Sequence, residues 1–401
     1  MQKESLMKIN RHIHQCLFLG ASLLFASCSQ QETNQETVVF SSGEDGYKSY
    51  RIPAIIQLPK GDLLAFCEGR VDGAGDFGNI QIVMKRSHDN GKTWSAIQTV
   101  ASNGTLQVSN PAPVFDTMDP DYPDGRIFLF YNTGNVSEPE VLKGNGFKQC
   151  WYVSSSDKGQ SWSDPVEITK DVFLANRPDI DSLYNHPEDW RYYANTPGHA
   201  IQLQEGEHKG RIYVAANHSY GDPQPNGKHY IAHGFYTDNH GKSFSLSNNI
   251  DYPGSNESMA VELSNGTLMM NSRNQQGNKK ARIVTLSHDG GTTWEKPTFD
   301  TTLIDPVCQG SIVALGKKDG KSIIAFCNNA DTLNRNNLTL RISYDNGQNW
   351  SKSYLIYGND SLPEKNDYSA YSDITLTNEG KVGILYEKDN YSKIVYTTIK
   401  P

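Results

Sequence analysis

"SHDNGKTW", Ser87 to Trp94, returns with little change as "SSDKGQSW" from Ser155, "SHDGGTTW" from Ser287 and "SYDNGQNW" from Ser343, and more loosely as "TDNHGKSF" from Thr237. The copies start 50 to 82 residues apart, which is the signature of an array in which each repeat is one small supersecondary unit. Within the octapeptide, Asp and Gly supply what a tight turn needs, a local hydrogen-bond acceptor and a left-handed backbone. The aromatic residue at its end can pack beneath the turn. Asp89, Asp157, Asp289 and Asp345 recur where no single site could use them all, so the motif reads as structural punctuation.

A quieter element accompanies it. A turn ending in Gly precedes a short apolar strand at Gly61 "DLLAF", Gly125 "RIFLF", Gly210 "RIYVA", Gly266 "TLMMN", Gly320 "KSIIAF" and Gly380 "KVGILY". Each is the tight turn of a β-hairpin. The turns lie 54 to 85 residues apart, and each of the first five is followed by an octapeptide 21 to 30 residues later. Six units of about four short strands predict an all-β chain folded as a six-bladed β-propeller over residues 37–401. The last unit is a strand short, and "TVVF" from Thr37 can complete it and leave no open sheet edge. A closed array of this kind holds a chain of 401 residues in one domain.

The formal charge is −8. Residues 1–28 hold three basic residues and one acidic one, which leaves 34 basic against 44 acidic, a charge of −10, on the remainder. Such a surface does not attract nucleic acid or an anionic membrane, so an anionic ligand would need a local cluster of Arg. Lys8 and Arg11 precede the apolar run "CLFLGASLLFAS", which is too short to span a bilayer and is placed as a signal peptide. "FASC" at its end resembles a bacterial lipobox, which would put a lipid on Cys28; a plainly cleaved signal is the alternative. Residues 29–36, "SQQETNQE", then read as a polar tether. The expected location is outside the cytoplasm, in the periplasm or at the outer membrane or cell surface, with membrane contact only through Cys28. Cys67, Cys150, Cys308 and Cys327 match no zinc spacing, and Cys67 and Cys327 sit within apolar strands, as buried thiols do; one disulfide among the four is the alternative in an oxidising compartment.

In a hairpin, the start of the first strand and the end of the second share an edge. In a propeller that edge of the inner strands faces the central mouth. Arg51 lies ten residues before Gly61 and Arg70 nine after it. Glu257 lies nine before Gly266 and Arg273 seven after, and Tyr371 and Glu387 bracket Gly380 at the same offsets. Asn132 and His218 hold similar places in units two and three. Asp76, in the Gly-rich "GAGDFG", follows Arg70, and Arg335, in "LNRNN", follows the "IIAF" strand of unit five. These side chains are expected round one opening. Converging guanidinium groups suit a carboxylate or phosphate. A carboxylate beside a phenol can take its proton and make the oxygen nucleophilic, and nearby Arg favours the phenolate. An acid on a separate loop can protonate a leaving group.

These residues and the octapeptides together resemble the bacterial exo-sialidases over about residues 37–401. The octapeptide is similar to that family's Asp box. The resemblance implies that Arg51 in "YRIP", Arg273 in "NSRNQ" and Arg335 in "LNRNN" hold the sialic acid carboxylate, with Arg70 a further ligand-facing Arg. It implies Tyr371 in "SAYSDI" as nucleophile, Glu257 in "NESMAVE" as its partner, Asp76 as acid/base and Glu387 in "LYEKD" as the acid that steadies Arg51. Glu262, Arg282, Arg341 and Tyr368 are the neighbouring rivals, and hairpin phase or local pattern disfavours them. "TPGHAIQL" from Thr196 resembles a loop lining the site. The implied activity is hydrolysis of terminal α-linked sialic acid from sialylated glycans with retention, through a tyrosyl–sugar intermediate, with no cofactor or metal. Transfer to another hydroxyl (a trans-sialidase) and a non-catalytic sialic-acid lectin are the alternatives. An insertion at 176–199 carries Trp190, Tyr192 and Tyr193, which suit either stacking on the sugar beyond the cleaved bond or loop packing.

Overall fold

The computed structural model describes residues 36–221, 230–358 and 368–401. The leader, Cys28 and all of the tether but Glu36 lie outside the described residues. The described residues form strands and two short α-helices, α1 (Glu138–Leu142) and α2 (Thr169–Val172). Among the described residues no helix is long and apolar enough to cross a membrane.

After β1 (Thr37–Ser41), two antiparallel runs follow. One is β2 (Ser49–Gln57), β3 (Leu63–Arg70), β4 (Ile80–Ser87) and β5 (Gln98–Ala101). The other is β6 (Gln107–Asp116), β7 (Arg126–Gly134), β8 (Lys148–Ser155) and β9 (Val166–Glu167). A parallel bridge between Ile80 and Gln107 joins them into one eight-stranded sheet. In the next sheet β10 (Trp190–Asn195) and β11 (Ile201–Gln202) both pair with β12 (Ile212–Tyr220), and β13 (Tyr230–Thr237) and β14 (Ser245–Leu246) follow. Two four-stranded sheets come after: β15 (Ser255–Glu262), β16 (Leu268–Asn274), β17 (Ala281–Ser287) and β18 (Thr298–Ile304), then β19 (Ser311–Lys318), β20 (Lys321–Asn329), β21 (Leu338–Ser343) and β22 (Lys352–Tyr357). The last sheet contains β23 (Ser369–Leu376), β24 (Val382–Lys388) and β25 (Lys393–Ile399), with β1 added outside β25. The "TVVF" segment therefore completes that sheet, from Thr37 opposite Tyr396 to Ser41 opposite Lys393.

The six Gly turns join β2 to β3, β6 to β7, β11 to β12, β15 to β16, β19 to β20 and β23 to β24. Asn265–Gly266 and Asp319–Gly320 have positive φ at both residues, 86° and 76°, then 49° and 77°. That backbone matches the twist of the flanking strands and favours Asn, Asp and Gly. The first strands β2, β6, β11, β15, β19 and β23 touch one another in a closed circuit, and β23 returns to β2. The result is an all-β, propeller-like arrangement of sheets about an axis. Its core lies between sheets, where side chains such as Phe66, Leu129, Val214 and Ile324 are fully buried and contribute about 2 kcal/mol each.

The octapeptide is the clip between hairpins. In the first copy Asp89 accepts from the Thr93 amide at 2.9 Å, and its side chain also bonds the Ser87 and Thr93 hydroxyls. Ser87 Oγ accepts from the Gly91 amide at 2.8 Å. The Thr93 hydroxyl and amide hold the Asp89 carboxyl down at about 2. The loose fifth copy forms the same turn with Thr237 and Asn239 in place of Ser and Asp. A Cβ on Gly91 would lie 2.1 Å from the Tyr396 ring, and Trp94 meets that ring edge-on at 5.6 Å. Gly159 abuts Leu64, Gly241 abuts Phe128, Gly291 abuts Tyr213 and Gly347 abuts Met269. Each clip thus docks on the hairpin before its own, and the first docks on the last sheet.

Candidate active site

Five strands slip register near one mouth of the axis. The shifts fall between Arg51 and Ala54, Ser109 and Ala112, Trp190 and Tyr193, Ser255 and Ser258, and Ser369 and Ser372. A bulge bends the strand and re-aims the side chains around it. At these bulges lie Arg51, Ile52, Asn110, Tyr192, Asn256, Glu257 and Tyr371, and all of them line one cavity of about 240 Å³. Ile52 has φ 59°, a left-handed value that costs a β-branched residue on the order of 1–3 kcal/mol. Its amide is held at 2.9 Å by the carboxylate of Glu387.

That carboxylate is the anchor of the site. Glu387 also accepts from Arg51 Nε at 2.7 Å and from the Tyr371 amide at 3.0 Å, and it is 1 % exposed. Across the cavity Arg273 Nη1 donates to Glu257 Oε2 at 2.7 Å and to the Tyr371 hydroxyl at 3.0 Å. The Tyr371 hydroxyl donates in turn to Glu257 Oε1. The guanidinium groups of Arg51 and Arg335 lie 5.4 and 5.5 Å from the centre of the Tyr371 ring. Three cations and one carboxylate therefore surround a single phenol.

Burial opposes the charge on Arg51 and Arg273, yet Glu387 and Glu257 more than offset it and raise both above the usual arginine value. The Tyr371 phenol is pushed well above 10 by burial and then by Glu257; Arg273 and Arg335 pull the other way without winning. Nearby Arg thus favours the phenolate as expected, but desolvation is the larger effect and keeps the phenol protonated.

Asp76 sits at the tip of the loop between β3 and β4, its side chain 82 % exposed. Arg70, 2 % exposed, reaches it with Nη1 at 2.8 Å. Arg70 is fixed by Glu68 through Nε and Nη2, at 3.0 and 2.6 Å, and by the Ala74 carbonyl at 2.6 Å. Seven of the eight site residues expected from the sequence line the cavity, and Glu387 stands directly behind Arg51.

The rivals fall elsewhere. Glu262 ends β15 at the opposite mouth and accepts from the Gln204 and Glu205 amides. Arg282 is fully buried against Asp305 and the Cys308 carbonyl. Arg341 bonds Asn328, and Tyr368 stacks on Tyr357. Two sequence expectations need correction, and one left open is resolved. Asn132 and His218 do not line the cavity: Asn132 accepts from the Asn195 amide, and His218 stacks on Trp190 with centroids 3.5 Å apart. Their side chains face the interior of the sheet packing, because position along a strand does not fix the face. Of the insertion aromatics only Tyr192 reaches the cavity, while Trp190 and Tyr193 belong to the core. Within "TPGHAIQL", His199 to Gln202 line the opposite mouth.

Several residues escaped the sequence reading. Glu68, in the same "EGR" as Arg70, accepts from the Asn110 amide at 3.0 Å as well as from Arg70. Tyr391, in the turn before β25, accepts from Arg335 at 3.1 Å and lies under Arg51 at 4.2 Å. Glu138 lines the cavity and accepts from the Tyr230 hydroxyl; burial raises its pKa. The cysteines among the described residues, Cys67, Cys150, Cys308 and Cys327, are free and buried. Asp116, Asp119 and His240 are close enough together to share a cation. Their atoms already serve Gln202, Arg126 and one another, and none lines the cavity.

The sequence profile of the BNR repeat-like domain matches residues 61–384. A sialidase of Micromonospora viridifaciens is 30 % identical over 379 residues, 88 % of this chain and 52 % of that protein. This chain therefore spans about half the length of that relative. A sialidase of Paraclostridium sordellii is 29 % identical over 374 residues, covering 88 % of this chain and 85 % of the relative. Among solved structures, the Hadza microbial sialidase Hz136 superposes with a TM-score of 0.74 at 26 % identity, over 90 % of this chain and 67 % of that one.

Proposed function

The chain belongs to the BNR repeat-like family, and we propose that within it this protein is an exo-α-sialidase, releasing terminal α-linked sialic acid from sialylated glycans with retained configuration. The observation that carries this reading is the Tyr371 hydroxyl bonded to both Glu257 and Arg273, with Arg51 and Arg335 against its ring. The names of the relatives support the same activity.

The anomeric carbon of sialic acid bears a carboxylate. In this reading Arg51, Arg273 and Arg335 clamp it and fix the ring for attack. A carboxylate nucleophile would be repelled there; a phenol is not, which is why sialidases depart from the two-carboxylate rule of glycosidases. Tyr371 attacks the anomeric carbon as Glu257 takes its proton, which explains how a phenol that burial keeps protonated becomes a nucleophile. Asp76 gives a proton to the departing glycosidic oxygen. Asp76 then takes a proton from water, the water displaces the tyrosyl oxygen, and Glu257 returns the proton to Tyr371. Glu387 stays outside the reaction and holds Arg51 and the Tyr371 backbone in register.

The architecture proposed for this enzyme is a six-bladed propeller. The eight-stranded sheet counts as two blades, since one bridge joins its halves, and the six first strands in a closed circuit favour that count. Export with a lipid on Cys28 completes the proposal; labelled palmitate failing to enter the wild-type chain while entering a known lipoprotein of the same host would overturn that part. For the activity, proton NMR of a mixture of α2,3-, α2,6- and α2,8-linked sialosides with the enzyme should show free α-sialic acid appearing first. First-formed β-anomer, or no release from any linkage, would refute the proposal.

A further inference from the structure

Asp76 is exposed and sits on a loop, yet acid catalysis needs its carboxyl held within a few tenths of an ångström. Arg70 holds the side chain. A second tie reaches the backbone: Gln107 Nε2 donates to the Asp76 carbonyl at 2.7 Å. Gln107 can do so because the parallel bridge to Ile80 places it beside the strand into which the loop returns. A glutamine amide can face either way round, and here a neighbour decides. Lys148 Nζ lies 2.7 Å from Oε1 and has only protons to give, so the oxygen must face Lys148 and the NH₂ must face Asp76. Lys148 is 3 % exposed, an unusual place for an ammonium group. Burial brings it down to about 8, against the support of Glu138 and Glu68, so it is still charged at neutral pH. Room for the pair comes from Gly134: a Cβ there would lie 2.8 Å from Gln107 Oε1 and 3.0 Å from Lys148 Nζ.

We propose that Gln107, oriented by the ammonium of Lys148 and given space by Gly134, is the positioning residue for the acid loop, clamping the backbone at Asp76 so that its carboxyl stays aimed at the departing oxygen. The inference rests on reading Asp76 as the acid. Asp76 serves both steps, but kcat/KM reports the first, in which it protonates the departing oxygen, so in kcat/KM the loss of the clamp should hurt substrates in proportion to their need for a proton. A sugar alcohol leaves poorly without one, and an aryl alcohol leaves readily.

The test compares sialyllactose with 4-methylumbelliferyl sialoside. Gln107→Leu should lower kcat/KM on sialyllactose about thirty-fold and on the aryl sialoside by no more than about three-fold. Gln107→Glu keeps the acceptor for Lys148 but has no donor for Asp76, so it should show the same selectivity even if the leucine variant folds poorly. Gly134→Ala should give a weaker version, about five-fold on sialyllactose alone. Asp76→Asn is the control. If it lacks leaving-group selectivity, the reading of Asp76 fails. If it is selective while both Gln107 variants slow the two substrates equally, or raise both KM values together, then Gln107 contacts the shared sugar or only supports the fold, and the clamp is wrong.

Discussion

The first strands of the hairpins end in two openings of opposite character. At one end lies the cavity of about 240 Å³ with its four Arg, its phenol and its carboxylates. At the other lies a larger cavity of about 470 Å³ whose walls are Ile55, Val114, Val261, Ile312 and Val313. The charged residues at its rim serve each other or the backbone: Lys317 pairs with Glu205, and Glu262 caps two amides. Between the two runs a layer of paired polar groups, including His199 with Asp373 and Ser311 with Ser372. The same strands build both openings. What differs is the local backbone, bulged at the small mouth and largely regular along the apolar wall. Size is therefore a poor guide to the site here, and the bulges are the better one.

If chemistry belongs to the bulged mouth, the largest effect should come from its centre. Tyr371→Phe should lower turnover of an aryl sialoside about a thousand-fold or more while a sialic acid analogue still binds, as measured by steady-state kinetics and calorimetry. Turnover near wild type would dissolve the contrast between the mouths. A strong stability effect should follow at the anchor. Arg51→Ala strands the buried Glu387 carboxylate with only two amide donors, which should cost about 3 kcal/mol in urea unfolding. Adding Glu387→Gln should recover part of that loss, and no recovery would mean that the pair does not act as a unit.

Further from both mouths, His218 and His233 meet Nδ1 to Nδ1 at 3.1 Å beneath Trp190. Burial holds His233 down at about 3 and His218 well below its usual value, with His233 adding to the latter. Unfolded histidine takes a proton near 6.5, so between about 6.5 and 3 the unfolded chain binds more protons. Stability should fall as pH drops through that window. His233→Gln should shift the acid midpoint, followed by circular dichroism, to lower pH; an unmoved midpoint would remove the pair as its cause. The smallest effect is expected in the apolar opening, where Val313→Thr should leave kcat/KM within about two-fold. A larger change would show that the two ends communicate.

The same contrast explains what could be read from the sequence. The Gly turns and the octapeptides repeat, and repetition survives inspection of a single chain. Hairpin phase placed Arg70, Arg273 and Glu387 correctly, since each ends a regular second strand. It misjudged Asn132 and His218, because phase gives the height on a strand but not its face. The bulges at Ser255–Ser258 and Ser369–Ser372 leave no sequence mark; hairpin phase put Glu257 and Tyr371 round one opening, and the family resemblance added their roles as partners. Glu68 stood in plain view in "EGR": it lies seven residues after Gly61, the offset of Arg273 and Glu387 from their own turns, and on the same face of β3 as Arg70, so the same phase could have found it. Gln107 and Lys148 carry no pattern at all; a bridge between two sheet halves brings them to Asp76.

One consequence follows from β1 closing the last sheet against β25. Arg51 on β2 reaches Glu387 on β24 and Tyr371 on β23 where the first hairpin meets the last, more than three hundred residues apart in the chain. The junction that closes the circuit of first strands is also the one that sets Arg51 against the phenol. A chain without its final strands would hold Arg51, Arg273 and Arg335 but neither Tyr371 nor Glu387, so the proposed chemistry would wait until both ends of the chain are in place.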